Sequence, residues 1–319
     1  MSDYTIAIEE DIIQSQLARN KEYKKVAPPF GYFGSKNKIA FKLCKKLPPH
    51  NCWVEAFCGS ASLTLAKPPA PIEVINDIDN EIINVFKQLR ENSIELRRMI
   101  KLTPYARKEF ENSREDSSGD SELEKARKFL IKAMMAINGV FGEQRGGFSY
   151  SQSYSRNGRD ARVNRWYNLP ERLENVVERL RSVRIENRDG KELLDMFINR
   201  PATLVYLDPP YLGNRTKGYN NDLNDEEYHK ELLQLANEAK CMIFISGYEN
   251  GLYKKLLTED KGWKKKSIST ATKDSNGNSH KRIEVVWMNK YYQKALATKT
   301  IPIKLTEKEQ KHKKLNPTR

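Results

Sequence analysis

The sequence predicts an α/β fold whose sheet is interrupted by a long, mostly helical insertion. Short apolar segments typical of buried strands lie before residue 80 and after residue 180, and amphipathic helical patterns fill most of the stretch between them. Near the start, a strand, a turn of small residues, a helix and a second strand follow one another, as in the βαβ unit of a nucleotide-binding sheet. These observations favour a sheet with helices packed against it.

Each predicted strand is a short apolar run bounded by polar or small residues. The first leads into the small residues 58–62, which open the helical segment SLTLA, and the second ends at Asn76 and Asp77. The runs that we predict as strands are 53–57, 72–75, 183–185, 203–207, 242–246 and 283–287.

The helical patterns divide the chain. They run from residue 81 to about residue 180 and include one polar break, SREDSSGDS, and an arginine-rich loop. The lysine run 264–266 is typical of a solvated turn. We predict an N-terminal extension (1–27), a core domain in two pieces (28–80 and 175–290), the helical insertion (81–174) and a basic C-terminal tail (291–319).

The net charge is strongly positive and uneven. The 319 residues include 56 Lys and Arg against 42 Asp and Glu, which gives a formal charge of +14. Half of that excess lies between Lys290 and Arg319, where nine basic residues stand against two acidic ones. A basic chain favours polyanionic partners, although charge alone does not name one. The tail itself is typical of a frayed, soluble end or of a loose phosphate contact.

The composition excludes several classes of protein. No apolar run reaches the ~18 residues that a membrane span needs, and the first residues are acidic where a signal peptide carries lysines. The cysteines at 44, 52, 58 and 241 lack the spacing of zinc sites, and the four histidines form no spaced cluster. We therefore expect a cytoplasmic protein with reduced thiols, no membrane association and no bound metal.

A second basic cluster lies between Arg145 and Arg165. It holds five arginines and one aspartate, with aromatic residues and glycines between them. Guanidinium groups match phosphates and guanine edges, so the segment suits contact with a nucleic acid. An irregular surface loop without a partner has the same composition, and this segment alone leaves both interpretations open.

The strongest local signal is Asp208-Pro209-Pro210-Tyr211, directly after the apolar run 203–207. In open α/β sheets, ligands bind at the carboxyl ends of the strands. The two prolines remove backbone donors, so the aspartate is followed by carbonyl groups that only accept hydrogen bonds. Such acceptors match an exocyclic amino group, and the tyrosine offers a face for a planar base. A proline-rich strand end without a function is the simpler alternative.

Gly59 and Asp77 form a second, weaker signal. A tight turn after the first strand lets the backbone approach a ligand, and an acid about twenty residues on, at the end of the second strand, suits ribose hydroxyls. There is no GxGxxG pattern, and a loop with so few glycines is a poor cradle for pyrophosphate. A nucleoside ligand without phosphates is therefore favoured over NAD or ATP.

Together these segments resemble the Dam-type (class D12) family of DNA adenine-N6 methyltransferases, which use S-adenosylmethionine. The resemblance runs from about Phe30 to Asn289, in the family's motif order. Ser35 stands where the family usually has a glycine before a lysine, and Ser60 and Ala61 stand where glycines are common. The matching segments are 30–36, 54–61, 75–79, 82–84, 187–189 and 208–211, then 138–141 with 147–148 in the insertion, and 245–248 and 284–289 near the end.

The resemblance implies a Rossmann-like methyltransferase sheet with an inserted, mostly helical target-recognition domain. It also implies a role for each matching residue. The implied catalytic residues are Asp208, Pro209, Pro210 and Tyr211; the cofactor-binding residues are Tyr32, Lys36, Glu55, Phe57, Gly59, Asp77 (at the ribose) and Asp189 (beside the adenine); the DNA-binding residues are Asn138, Arg145, Arg156, Arg159 and Arg162.

The expected function is transfer of a methyl group from S-adenosylmethionine to N6 of an adenine flipped out of double-stranded DNA, without a metal. Family members serve restriction–modification, phage or solitary epigenetic roles. A restriction endonuclease is therefore a candidate partner, and we expect a bacterial, phage or mobile-element protein associated with the nucleoid. The alternatives are transfer to cytosine N4 or to an adenine of RNA, and a catalytically silent nucleic-acid-binding module.

Overall fold

The computed structural model describes residues 23–32, 35–137, 146–150, 155–212, 225–273 and 279–302. Within these residues, a seven-stranded sheet with helices on both faces forms the body of the protein, and two short strands form a separate hairpin. The predicted α/β fold is confirmed.

The strands pair into a mostly parallel sheet. In chain order they are β1 (Cys52–Glu55), β2 (Ile72–Asn76), β3 (Ser155–Arg156), β4 (Arg159–Asp160), β5 (Val183–Glu186), β6 (Thr203–Leu207), β7 (Met242–Gly247), β8 (Lys264–Lys273) and β9 (Ser279–Met288). The order across the sheet is β5-β2-β1-β6-β7-β9-β8. The first five in that order are parallel, whereas β9 is antiparallel to both β7 and β8. The strand order reverses direction between β1 and β6, where such sheets bind ligands.

Helices connect the strands and cover the sheet. After a 3₁₀ turn at Lys36–Lys38, the helices of the described residues are α1 (Ala40–Cys44), α2 (Ser62–Ala66), α3 (Asn80–Glu91), α4 (Ser93–Leu102), α5 (Arg107–Asn112), α6 (Glu122–Met135), α7 (Ala161–Tyr167), α8 (Leu169–Leu180), α9 (Gly190–Asp195), α10 (Glu226–Glu238), α11 (Gly251–Leu256) and α12 (Lys290–Thr298).

The central strands are apolar on both faces because helices cover both. Every residue of β1, β6 and β7 is buried, which explains why these strands form continuous apolar runs instead of alternating patterns. Successive residues enter opposite cores. Val54 packs in the core that contains residues of α9 and α10, and Trp53 packs in the core that contains residues of α1 and α12.

The helices between β2 and β5 share one apolar core with the sheet. Residues of α3, α4, α6 and α8 cluster with Ile75 of β2 and Val183 of β5. Helices α3 and α8 also contact β5 directly. The predicted helical insertion therefore packs against the sheet, and its boundaries at residues 81 and 174 stay a prediction.

One sequence-based expectation is wrong. The lysine run 264–266, predicted as a solvated turn, begins strand β8, which forms the edge of the sheet and pairs with β9 along all ten residues. The three lysines are exposed. Charged residues are common on edge strands because they discourage pairing with another chain, so the run of charges concealed a strand.

The arginine-rich segment is more regular than the predicted loop. Its described part contains the β3–β4 hairpin followed directly by helix α7. Asp160 caps this helix, since its side chain accepts hydrogen bonds from the backbone amides of Arg162 and Val163. The one acid of the segment therefore orders the helix that carries two of its arginines.

A buried ion cluster ties β2 to α8. The carboxylate of Glu73 accepts hydrogen bonds from the Lys67 ammonium at 2.7 Å and from two nitrogens of the Arg179 guanidinium at 2.5 and 2.9 Å. Burial alone would raise the pKa of Glu73, but the two cations hold it below its usual range. Such a cluster is costly to break, because a removed partner leaves buried charge unpaired.

Glu73→Gln should therefore destabilise the protein by about 3–5 kcal/mol, since two buried cations lose their carboxylate. The matched control is Glu174→Gln, because Glu174 pairs with Arg97 at the surface, where an ion pair contributes about 0–1 kcal/mol. Urea unfolding of the two variants measures both effects. Equal losses would show that Glu73 is not the centre of a buried cluster.

Candidate active site

The predicted site residues meet at one edge of the sheet. Strands β1, β2, β5 and β6 are parallel neighbours, so the loops after them lie side by side. Asp77 follows β2, Asp189 lies in the loop after β5, and Asp208 follows β6 directly. The topology of the sheet thus assembles acids from distant parts of the chain.

Asp208 lies in a network of donors. Its Oδ1 accepts from the Lys36 ammonium at 2.8 Å and from the Ser246 hydroxyl at 3.0 Å. Ser246, at the end of β7, also shares a hydrogen bond of 2.6 Å with the buried Tyr206 hydroxyl. Pro209, which follows Asp208, is buried. The carboxylate is therefore held by donors from two other segments of the chain, those of Lys36 and Ser246.

Tyr211 lies beside this network. Its hydroxyl donates to Glu284 Oε1 at 2.7 Å, and the Lys36 ammonium lies 4.8 Å from the centre of its ring. Burial, followed by the charges of Asp208 and Glu284, raises the pKa of Tyr211 well above its usual range. The phenol therefore stays protonated and remains a donor. The centres of the Tyr248 and Tyr211 rings lie 4.6 Å apart, and the two rings pack edge to face.

Lys36, predicted to bind the cofactor, lies instead beside Asp208, the predicted catalytic aspartate. The preceding residue, Ser35, belongs to a triangle of hydroxyl groups with Ser60 and Ser62, at oxygen–oxygen distances of 2.8 to 3.1 Å. This triangle joins the segment that carries Lys36 to the turn after β1. The position of the ammonium is therefore coupled to that of the predicted cofactor loop.

The turn after β1 is tight and is braced by Asp77. Gly59 has a φ of 48° and Ala61 a φ of 53°, both in the left-handed region. The Gly59 amide donates to Asp77 Oδ2 at 2.8 Å, and the Asp79 amide donates to Asp77 Oδ1 at 3.0 Å. Burial raises the pKa of Asp77 to about 6. A Cβ added at Gly59 would press on the Tyr32 ring at 3.0 Å, so the glycine is needed for this close approach.

Glu55, predicted to bind the cofactor, holds the start of α2. Its carboxylate accepts from the backbone amides of Leu63 and Thr64 and from the Thr64 hydroxyl. Burial raises the pKa of this carboxyl group to about 7. The observed role is helix capping, and a contact with the cofactor stays a prediction.

Phe57 and Asp189 lie at the other end of the edge. The Phe57 ring packs against Gly190 so closely that a Cβ there would overlap it. Asp189 caps α9 through the Lys191 amide at 2.7 Å, and the Tyr228 hydroxyl donates to the same oxygen at 3.3 Å. An open cleft of about 590 Å³ lies here, lined by Ile78, Asn80, Asn187, Arg188, Asp189 and Glu192, among others.

Asn76 fixes these loops relative to one another. Its buried side-chain amide donates to the carbonyls of Ala56 and Arg188 and accepts from the Arg188 amide. One side chain thus ties together the loops after β1, β2 and β5. Asn76 belongs to a matched motif, but nothing in its sequence pattern indicates this role.

The predicted DNA-binding residues are only partly described. Asn138 and Arg145 lie outside the described residues. Arg156 belongs to β3 and Arg159 to β4, and the Arg159 guanidinium stacks on the Tyr167 ring at 4.0 Å. Arg162 lies at the start of α7. Their contact with DNA stays a prediction.

The sequence analysis assigned no role to four residues of this network: Tyr206, Ser246, Tyr248 and Glu284. One signal was available for Glu284, because it is a lone acid inside the apolar run 283–287. Ser246 and Tyr248 lie in the matched segment 245–248 without an implied role, and Tyr206 has no distinguishing pattern. Their positions follow from strand pairing, which a single sequence does not show.

A family model for the D12 class N6 adenine-specific DNA methyltransferases matches residues 32–273, well over half of the chain. The chain belongs to this family. The match spans the Lys36 segment, the turn after β1, Asp77 and the Asp208–Tyr211 motif. It confirms the resemblance found in the sequence and makes the protein a methyltransferase that depends on S-adenosylmethionine.

Solved methyltransferase structures are similar at low identity. An rRNA methyltransferase from Streptomyces viridochromogenes is 14% identical, with 84% of this chain and 90% of that chain covered and a TM-score of 0.33. An rRNA methylase from Streptococcus thermophilus is 9% identical, with 80% and 96% covered and a TM-score of 0.31. A methyltransferase from Agrobacterium tumefaciens is 9% identical, with 80% and 60% covered and a TM-score of 0.34.

The residues of this methyltransferase fit S-adenosylmethionine. Both Asp77 oxygens accept a backbone amide and keep a lone pair for a ribose hydroxyl. Asn187 and Asp189 supply polar groups in the open cleft, beside the apolar Ile78. Gly59 lets the ring of Tyr32, another predicted cofactor-binding residue, pack closely against the turn after β1. The donor and acceptor set thus suits a nucleoside without phosphates better than a nucleotide.

The described residues show neither a metal site nor a membrane span. They contain no group of three or more His, Cys, Asp or Glu side chains arranged to hold a metal ion. No helix among them has the length and apolar character needed to cross a membrane.

Asp77→Ala should weaken binding of S-adenosylhomocysteine about tenfold or more, because hydrogen bonds to a charged acceptor are among the stronger ones. Isothermal calorimetry measures the affinity. The control is Asp116→Ala, since the Asp116 carboxylate is exposed and accepts its hydrogen bonds locally, from the amide and hydroxyl of Ser118. Unchanged affinity in the Asp77 variant would exclude its role at the ribose.

The stability of the wild type should fall as the pH rises from about 4.5 to about 7. The raised pKa of Glu55 means that the folded protein keeps a proton that the unfolded chain has released in this window. If the whole shift is realised, the loss is roughly 2–3 kcal/mol. Urea unfolding across this range should show a smaller loss for Glu55→Gln. Asp77 adds a slope of the same sign to both proteins, so identical slopes would refute the assignment to Glu55.

Proposed function

We propose that this methyltransferase transfers a methyl group from S-adenosylmethionine to N6 of an adenine flipped out of duplex DNA. The observation that carries the proposal is the position of the Lys36 amine. It donates to Asp208 at 2.8 Å and lies over the Tyr211 ring at 4.8 Å. An exocyclic amine of a base stacked on Tyr211 would make the same two contacts. The site is thus already complementary to an amino group.

The residues of the chain act by holding and orienting. The target base must leave the stack, because its amino group is otherwise engaged in pairing. Tyr211 stacks on the flipped base, while Asp208 and the Pro209 carbonyl accept the N6 hydrogens. These contacts direct the nitrogen lone pair away from the ring system and toward the methyl group.

When bound, S-adenosylmethionine would supply an electrophilic methyl group on a sulfonium, whose sulfur would keep the bonding electron pair as a neutral thioether. The new bond joins N6 to the methyl carbon, and one N6 proton is lost. A carboxylate that already accepts from N6, as proposed for Asp208, is placed to take that proton. Asp77 and Asp189 orient the ribose and adenine ends.

The basic part of the insertion is the proposed DNA contact. Arg159 and Arg162 lie on a hairpin and a helix, two kinds of element that fit the grooves of DNA. Together with Arg145, Arg156 and Asn138, they form the proposed target-recognition surface. We propose double-stranded DNA as the substrate, in a restriction–modification, phage or solitary setting.

The test is expression in a host without adenine methylation, followed by mapping of N6-methyladenine across the genome. The wild type should methylate adenine in one recurring sequence. Asp208→Asn keeps the shape of the side chain but replaces an accepting oxygen with a donor, so transfer should fall at least about 100-fold. Affinity for S-adenosylhomocysteine and the melting temperature, measured on the purified variant, should change little.

Each alternative gives a different result. Methylation of cytosine N4, or of RNA alone, would replace the proposed acceptor. Lack of both methyl transfer and cofactor binding in the wild type would indicate a silent nucleic-acid-binding module. Near-normal transfer by Asp208→Asn would show that Asp208 is not the catalytic acceptor.

A further inference from the structure

We propose that Glu284 is a positioning residue of the active site. It holds Tyr211 by a hydrogen bond, and it pairs with the Lys36 ammonium when the acceptor amine replaces that ammonium at Asp208. The inference rests on the proposed function, because it describes how an acceptor amine enters the site. Glu284 lies in the apolar run of the last long strand and carries no role in the motif-based assignment.

Strand pairing brings Glu284 to the catalytic edge. β9 runs antiparallel to β7, and Val285 pairs with Gly247, the last residue of β7. The residue before Val285 therefore lies level with the loop after β7, at the same edge as the carboxyl ends of the parallel strands. An acid at this position reaches the site although it is far from the Asp208 motif in sequence.

Glu284 contacts the catalytic motif in two ways: it bonds to Tyr211 of the motif, and it contacts Lys36, which also pairs with Asp208. Its Oε1 accepts from the Tyr211 hydroxyl at 2.7 Å and lies 3.3 Å from the Lys36 ammonium. The same ammonium lies 2.8 Å from Asp208. The exposed fractions of the Lys36, Glu284 and Asp208 side chains are 6%, 9% and 15%. One largely buried ammonium thus bridges two largely buried carboxylates.

Lys36 and the acceptor amine compete for the same carboxylate. Both donate N–H groups to Asp208, so the acceptor can bind there only if Lys36 moves away from it. An ammonium left without a carboxylate in a buried site is strongly unfavourable. Glu284 removes this penalty, because a short movement of Lys36 keeps it paired. The Glu284 carboxylate therefore lowers the free-energy cost of replacing Lys36 by the acceptor amine at Asp208.

The hydrogen bond to Tyr211 serves the same exchange. Lys36 lies over the ring that is to stack on the base. When the ammonium moves, the phenol bond to Glu284 keeps the ring in place. The ring is thus ready before the base arrives, which reduces the ordering that binding must produce.

A purely structural role for Glu284 predicts something different. A residue that only supports the packing of β7 against β9 would affect folding, and it would affect binding of every DNA equally. A residue that allows Lys36 to leave Asp208 affects binding only of DNA whose target base carries the amino group. The two roles are separated by a pair of duplexes that differ in that group alone.

The experiment uses the full-length protein with S-adenosylhomocysteine and duplexes containing the methylated sequence, with either adenine or purine, which lacks the 6-amino group, at the target position. The ratio of the two dissociation constants reports how well Asp208 accepts the amino group. Glu284→Gln keeps an acceptor for the Tyr211 hydroxyl but removes the charge that receives Lys36. The control is Glu249→Gln, because the Glu249 carboxylate is exposed and pairs with the exposed Lys265 of the edge strand β8.

We expect Glu284→Gln to reduce the preference for adenine over purine about fivefold or more and to lower kcat about tenfold, with the KM for S-adenosylmethionine changed less than about threefold. Glu249→Gln should match the wild type. An unchanged adenine-to-purine ratio in Glu284→Gln would overturn the proposal, whether or not binding of both duplexes is weakened.

Two further measures keep the test decisive. If Glu284→Gln fails to fold, Glu284→Asp retains the charge with a shorter reach. Glu284→Asp should also reduce the preference for the adenine duplex, but by a smaller factor. An equal loss of affinity for the adenine and purine duplexes would refute the proposal. If the wild type methylates cytosine, the proposed acceptor is wrong, and the Glu284 inference is tested with cytosine against the pyrimidine that lacks its 4-amino group.

Discussion

The ion cluster of Lys36, Asp208 and Glu284 is the interaction on which the proposed chemistry depends. Its members come from a 3₁₀ turn near the start of the chain, from the end of β6 and from β9. Each largely buried charge would be costly alone, so the cluster requires strand pairing to place the two carboxylates and the segment of Lys36 to place the ammonium. The parallel strands and the antiparallel β9 are therefore requirements of the site, because they set where the two carboxylates lie. The Asn76 amide plays the corresponding role for the loops at the cofactor end.

The two departures from the family pattern meet in space. Ser35 replaces a glycine in the segment of Lys36, and Ser60 replaces one in the turn after β1, yet their hydroxyl groups lie 3.1 Å apart and both contact Ser62. A serine in one segment alone would lack this partner, so the substitutions compensate each other. Ala61 is different: it keeps the left-handed conformation that glycine adopts freely, at a cost of about 1–2 kcal/mol. Its methyl group is fully buried in the apolar core, which offsets part of that cost.

The sequence predicted most of the sheet and the motif at Asp208, because buried strands and proline-rich strand ends leave local patterns. It missed β8, whose exposed edge position allows the lysines of 264–266, and it missed Glu284, whose importance comes from its register with β7. Both depend on which strands are neighbours, and a single sequence does not contain that information. For Glu55, the family motif identified the residue but not what it contacts. Its hydrogen bonds cap α2, and this contact depends on how the turn after β1 folds back.

The charge of the site runs against that of the chain. The protein as a whole carries +14, yet the catalytic cluster has two carboxylates and one ammonium and is therefore negative by one unit. A site of this charge is complementary to a methyl donor that is itself a cation, whereas a basic site would repel it. The basic surface and the acidic site thus attract different reactants, a polyanion on the outside and a cation within. In the proposed movement of Lys36 from Asp208 to Glu284, the net charge of the cluster does not change. The movement therefore frees the Asp208 carboxylate for the acceptor amine while the cluster keeps its net negative charge.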